Sequence, residues 1–218
     1  KAVEIAHKYP KGVWATIGLH PIHSESSYHD EQELGIISGE LPGFVSKGED
    51  FDYGFFLQLS QDPRVVAIGE CGFDFYRLNP GTKRKQKKIF LRHIELAYVA
   101  KKPLMIHCRS GVPERTSPQD GAGRSGMPPQ SLSPNVAVGQ EQTSPRTKAS
   151  YDAFEYLLKV LDSQRGLLNS PPGVVHFFSG NISDVQKLLD LGFSFSFGGV
   201  INFKGDYDEF IKYIPMDS

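Results

Sequence analysis

Four side chains able to hold a metal ion or move a proton stand at or just beyond the ends of short apolar runs. They are His20 in "ATIGLHP", Glu70 in "VVAIGECGFDF", His107 in "PLMIHCR" and His176 in "GVVHFFSG". Imidazole nitrogen and carboxylate oxygen make the mixed donor set that divalent zinc, manganese, iron or magnesium accepts, with positions left open for water and substrate. A carboxylate can also bridge two ions, and a bound cation supplies hydroxide near neutral pH while neutralising charge on a phosphoryl or carbonyl oxygen. Glu70, His107 and His176 are therefore expected to form a joint metal site. His20 stands apart from them, because Pro21 behind it also marks a plain turn.

Each position has a structural alternative. A single histidine after a strand is more often a cap or a satisfied core residue than a ligand, and Glu70 before Cys71-Gly72 could end a strand in a turn. Arg109 could set its guanidinium over a substrate phosphate or pair with a structural carboxylate. Asp74 could orient a ligand from behind or cap the following loop. What favours a metal site is the coincidence of such residues across several strand ends. His7, His23, His29 and His93 fall on a helix face or in polar loops, and are expected to be solvated. Cys71 and Cys108 each follow a candidate ligand by one position, so they should point to the opposite side of the strand and serve as small buried packing.

The elements that must position these groups are legible as apolar runs. Val13 to Leu19, Val65 to Gly69, Leu104 to Ile106, Val174 to Val175 and Phe193 to Val200 are continuous rather than alternating, as in parallel strands covered on both faces. Between them, Thr82 to Lys101 has helical periodicity, with Ile89, Phe90, Ile94, Ala97 and Tyr98 on one face and Lys83, Arg84, Lys87, Lys88 and Arg92 towards water. Ala2 to Tyr9, Tyr151 to Leu161 and Ile182 to Leu191 are also predicted helices, the last with Ser179 or Asn181 as its cap and Gly192 as its stop. Alternating strands and helices imply a parallel α/β sheet. In a closed β/α barrel the strand ends converge on one mouth, where residues distant in sequence become neighbours.

The 218 residues include 24 Lys plus Arg against 25 Asp plus Glu, a formal charge of −1, so any phosphate-binding surface must be local rather than global. The 39% hydrophobic content supports a sizeable core and excludes fibrous or wholly disordered chains. Two cysteines without a CxxC pair argue for a reducing compartment, and cytoplasm is the expectation; no apolar run is long enough for a membrane span. Residues 110–150 differ from the rest: 18 of the 41 are Gly, Pro or Ser, and none is Phe, Tyr, Trp or Ile. Such a segment buries too little apolar surface to offset its ordering entropy. It is expected to be a disordered low-complexity insertion in one domain made of 1–109 and 151–218. The chain starts at Lys1 within a helical pattern and is expected to be a piece of a longer protein.

The same stretches resemble the TatD family of metal-dependent deoxyribonucleases: "GLHP" at 18–21, "VVAIGECGFDF" at 65–75, "PLMIHCR" at 103–109, "GVVHFFSG" at 173–180 and "FSFGGVINF" at 195–203. His107 and His176 are 69 positions apart, or 28 once the 41-residue insertion is removed, a normal step between neighbouring barrel strands. The resemblance implies an α/β fold of the TIM type, a (β/α)8 barrel with about five of its eight strands in this chain, and two divalent ions (Mg²⁺, Mn²⁺ or Zn²⁺) at its mouth. Glu70 matches the carboxylate shared by the ions, His107 and His176 match ligands of one of them, and His20 and Arg109 match residues near the substrate phosphate. The implied activity is hydrolysis of phosphodiester bonds by metal-activated water, with DNA as substrate and no membrane or specific protein partner. Family members commonly carry an HxH motif on the first strand and an "ETDAPYL"-type last strand. Neither occurs here, so the chain as it stands is expected to be poorly active. A related binuclear hydrolase of amides, esters or lactones and an inactive interaction fragment are the competing readings.

Overall fold

The structure is a computed structural model that describes residues 1–29, 44–76, 81–111, 152–202 and 207–215. In chain order the elements are α1 (Ala2–His7), β1 (Ala15–Ile17), a 3-10 turn (Pro21–Ser24), β2 (Ser26–His29), β3 (Phe44–Lys47), α2 (Tyr53–Leu59), β4 (Val65–Asp74), α3 (Thr82–Ala100), β5 (Leu104–Arg109), α4 (Ala153–Ser163), β6 (Gly173–His176), α5 (Ile182–Asp190), β7 (Ser194–Phe195) and α6 (Tyr207–Tyr213).

Five strands form one parallel sheet in the order β1-β4-β5-β6-β7, while β2 and β3 pair antiparallel in a separate ribbon. The sheet order follows chain order, as in a strand-helix repeat wound in one direction. Along β5, Leu104, Ile106 and Cys108 are buried and Met105, His107 and Arg109 are half-buried. The first set packs into a core shared with Phe90 and Ile94 of α3, Phe154, Leu157 and Leu161 of α4, and Val185 and Leu188 of α5. The second set faces the other side, where a barrel has its interior. The result is an α/β fold and a partial barrel, as its sequence predicts.

Several element ends have visible causes. Asp152 caps α4 by accepting from the Phe154 and Glu155 amides, and Asn181 forms a reciprocal capping box with Asp184 on α5. Gly192 follows α5 at φ 85, a conformation costly for other residues. The last predicted strand is shorter than expected: Ser194–Phe195 pairs, and Gly199–Asn202 is a 3-10 turn. Tyr98, expected on the packed face of α3, is exposed.

His93 corrects a larger expectation. It is fully buried rather than solvated: its Nδ1 donates to the Ile89 carbonyl at 2.9 Å, and its Nε2 accepts from the Leu19 amide at 3.0 Å. It shares the buried face of α3 with Ile89, Phe90 and Ala97, at the i−4, i−3 and i+4 positions that helical geometry places together. His7 is exposed and pairs with Asp62 at 2.8 Å, whereas His23 is half-buried and bonds Ser46 at 3.1 Å. The His29 side chain and nearly all of the expected insertion, 110–150, lie outside the described residues. Both cysteines are buried, and neither is in a disulfide.

Candidate metal centre

Glu70 inside β4, which runs past its expected end at Gly69 to Asp74, His107 near the C-terminal end of β5 and His20 three residues beyond β1 come together, and each offers a ligand atom within 4.8 Å of the others. Backbone irregularity aims the first of them. The β4-β5 register runs Gly69↔Met105 and then Cys71↔Ile106, so Glu70 is the extra residue of a bulge. Glycines allow the close approach, since a Cβ at Gly69 would lie 2.3 Å from the Met105 carbonyl oxygen and one at Gly72 would lie 2.2 Å from that of His107.

His107 sits between two carboxylates. Its Nδ1 is 3.5 Å from Glu70 Oε1, and its Nε2 is 2.8 Å from Oδ2 of Asp74, whose side chain is only 2% exposed. Asp74 is itself fixed: Oδ1 accepts from the Tyr76 amide at 2.9 Å, its own amide donates to Gln86 Oε1 at 3.0 Å, and Gln86 Nε2 donates to its carbonyl at 2.8 Å. Asp74 thus sets one oxygen against the His107 ring and uses the other to hold the following loop. Gln86 was not singled out by sequence, although its position on the buried face of α3, three and four residues before Ile89 and Phe90, was a usable signal.

His20 both caps a turn and stands beside the His107 ring. It is the N-cap of the 3-10 turn, with Pro21 at the first position, and its Nδ1 accepts from the Ile22 amide at 3.3 Å. Its ring centroid lies 4.3 Å from that of His107. His176 is the direct register partner of His107 on β6, and its Nδ1 lies 2.8 Å from Ser196 Oγ. It does not belong to the three-residue cluster, where His20 stands instead. Arg109 ends β5, with its guanidinium 3.7 Å from the centroid of the Tyr76 ring.

The electrostatics separate the two imidazole environments. Burial lowers His20 to about 3, with repulsion from His107 adding to it against the pull of Glu70 and Asp74. For His107 burial also works against the charged form, yet hydrogen bonds to Asp74 and Glu70, and their charges, outweigh it and hold the pKa up at about 9. Burial opposes ionisation of Glu70, but the His107 hydrogen bond and the nearby His20, His107 and His176 rings keep its pKa below the ordinary value.

This donor set fits a divalent ion. Ligand atoms about 2.0–2.2 Å from a four-coordinate ion stand about 3.4 Å from each other, and Glu70 Oε1 and His107 Nδ1 are 3.5 Å apart. A carboxylate behind the far nitrogen of a liganding histidine, as Asp74 lies behind His107, is the usual support for such a site.

The family description "TatD related DNase" matches residues 1–117 and 148–218. Among curated relatives, the "3'-5' ssDNA/RNA exonuclease TatD" of Salmonella typhimurium is 33% identical over 88% of this chain and 48% of its own length. An "Uncharacterized metal-dependent hydrolase" of Buchnera aphidicola is 28% identical over 73% of this chain and 44% of its own. The crystal structure of YjjV, a TatD homologue from Escherichia coli, shares the fold with a TM-score of 0.58 at 19% identity, covering 98% of this chain and 58% of that one. The chain thus spans about half the length of the curated relatives it matches. With nearly all of its described elements inside the matched segments, the chain belongs to the TatD family of DNase-related, metal-dependent hydrolases.

Proposed function

We propose that this chain forms part of a hydrolase of phosphodiester bonds acting on single-stranded DNA, with two divalent ions in the whole protein. The observation that carries the reading is the cluster of His20, Glu70 and His107 at adjacent parallel strand ends, with Asp74 locked behind His107. A bound divalent ion supplies activated water and charge neutralisation at the phosphoryl oxygens. Glu70 and His107 are its nearest ligands in this proposal, and His176 on the next strand completes the set. Two nitrogens and one oxygen suit zinc or manganese better than magnesium, which prefers oxygen.

His20 has the role of phosphate contact. With Nδ1 accepting from Ile22, the neutral ring carries its proton on Nε2, and its low pKa keeps it neutral at physiological pH. It therefore presents a hydrogen-bond donor to the substrate rather than a second cation. Arg109, held over the Tyr76 ring, supplies the positive charge for the phosphate. Residues 1–109 and 151–218 are one hydrolase domain in this reading, and 110–150 is an insertion; the break in the family match between 117 and 148 supports it.

The test is metal analysis of the full-length protein, followed by assays on single-stranded DNA, a nitrophenyl phosphodiester and a lactone with Mg²⁺, Mn²⁺ or Zn²⁺. Stoichiometric metal with cleavage of the DNA and the diester is expected. Cleavage of the lactone alone would move the reading to carbonyl chemistry, and a protein without metal or turnover would end it.

A further inference from the structure

From Lys83 to Arg92 the chain carries six cations and no acidic residue. Helical geometry sets Arg84, Lys88 and Arg92 at i, i+4 and i+8, one stripe along α3 with a rise of about 6 Å between successive members. Like charges at this spacing destabilise a helix, so the stripe weakens the element that carries it. Together with Lys85, these residues line a groove of about 750 Å³ whose opposite wall includes Glu25, Asp50 and Phe51.

The charges are unevenly satisfied. Lys85 pairs with Asp50 at 3.1 Å, and Arg92 is held by Glu95 and by the Tyr53 ring, 4.1 Å from its guanidinium. Arg84 and Lys88 are exposed and have no ion pair among the described residues. The place of the groove is informative. Its Glu25 wall directly follows the 3-10 turn capped by His20, and α3 begins after the β4 end that carries Glu70 and Asp74. The groove therefore leaves the mouth of the sheet alongside the candidate centre.

We propose that this groove is a docking track for the sugar-phosphate backbone of a single-stranded polynucleotide, with Arg84 and Lys88 contacting successive phosphates outside the metal centre. The proposal rests on the phosphodiesterase reading for its choice of ligand. Two cations in a line, without an ion pair among the described residues, suit a polyanion rather than a single phosphate. Binding by such contacts tolerates any base sequence, because only the backbone is read.

The experiment is fluorescence anisotropy of a labelled oligothymidylate with the full-length protein in EDTA, from about 50 to about 200 mM salt. Wild type, Arg84→Gln/Lys88→Gln and Lys159→Gln, which removes an exposed cation of α4 outside the groove, are compared. Glutamine keeps good helix propensity at exposed sites, so an unchanged melting temperature is expected for the double variant. Each lost phosphate contact removes about 0.7 from the slope of log K against log salt for a single strand. The double variant should therefore bind several-fold more weakly with a slope shallower by about 1.4, whereas Lys159→Gln should bind as wild type does. Equal affinity and slope in wild type and double variant, or no binding by wild type, would overturn the proposal. So would loss of binding to phosphatidylserine vesicles on the same substitutions without any effect on the oligonucleotide. If phosphodiester hydrolysis is absent but the double variant still loses oligonucleotide binding, the track stands and the activity reading fails. If hydrolysis is present and the salt slopes coincide, only the track fails.

Discussion

At the strand ends His107 lies between two carboxylates, whereas under α3 His93 lies between a backbone amide and a backbone carbonyl. Both rings are largely removed from water, and in both burial disfavours the charged form. Burial wins at His93, which falls to about 4 despite the Ile89 carbonyl. It loses at His107, which rises to about 9 through Asp74 and Glu70. Depth alone therefore does not set the charge of a histidine; the groups that share its ring nitrogens do. The first region holds a site where a cation is wanted, and the second holds a neutral ring that ties α3 to the loop leading into His20.

The largest expected effect follows directly. Glu70→Ala and His107→Ala in the full-length protein should each reduce metal-dependent hydrolysis by more than about 100-fold, since loss of the supporting partners of a metal ligand already costs about 10–100-fold. Both should also lower bound metal, measured by elemental analysis. His93→Leu should leave the metal stoichiometry intact. Wild-type turnover with full metal in either alanine variant would erase the distinction between the two regions.

Asp74→Asn is the next step down. It keeps the shape but removes the charge behind Nε2 of His107, so a loss of about 10–100-fold in metal affinity or activity is expected. In the metal-free protein the His107 pKa, followed by NMR, should fall from about 9 towards the ordinary value. An unchanged titration would mean that Glu70 alone holds the proton.

His93→Leu tests the other region. The Leu19 amide loses its acceptor in a buried place, which costs about 1–3 kcal/mol. Urea denaturation should show that loss, with activity per folded molecule close to wild type.

How far these two regions were legible in the sequence differs for physical reasons. The five parallel strands and their ligand-bearing ends show as continuous apolar runs, because burial on both faces leaves no polar alternation. Asp74 and His107 lie at or near such ends, whereas Glu70, expected at one, lies inside β4. The bulge that turns Glu70 towards His107 was not readable, since a one-residue register shift leaves no trace in composition. His93 was misread because a polar residue on a basic helix suggests solvent. Its spacing from Ile89 and Phe90 pointed inward, but the amide that satisfies it comes from Leu19, 74 positions away. His20 and His176 similarly acquire partners, His107 and Ser196, that only the folded sheet brings near.

The pH dependence of stability gives the smallest and most specific contrast, in the metal-free protein. Unfolded histidine ionises near about 6.5. Between that pH and about 4, the unfolded chain binds a proton that folded His93 refuses, so the stabilisation from the neutral ring is whole above the unfolded pKa and is lost as pH falls. His20, at about 3, extends the same acid limb. His107 acts with the opposite sign: its contribution is whole below the unfolded pKa and is lost as pH rises through about 9. The slope is limited to about 1.4 kcal/mol per pH unit for each proton, so the acid limb, with two histidines, can be steeper than the alkaline one. Stability in EDTA should thus peak near about pH 6.5, with His93→Leu flattening the acid limb and His107→Asn the alkaline one. Adding Zn²⁺ or Mn²⁺ should reverse the alkaline loss, because an ion needs the neutral ring of His107 and gains affinity as that proton leaves. If His93→Leu instead flattened the alkaline limb, the assignment of opposite protonation to the two regions would be wrong.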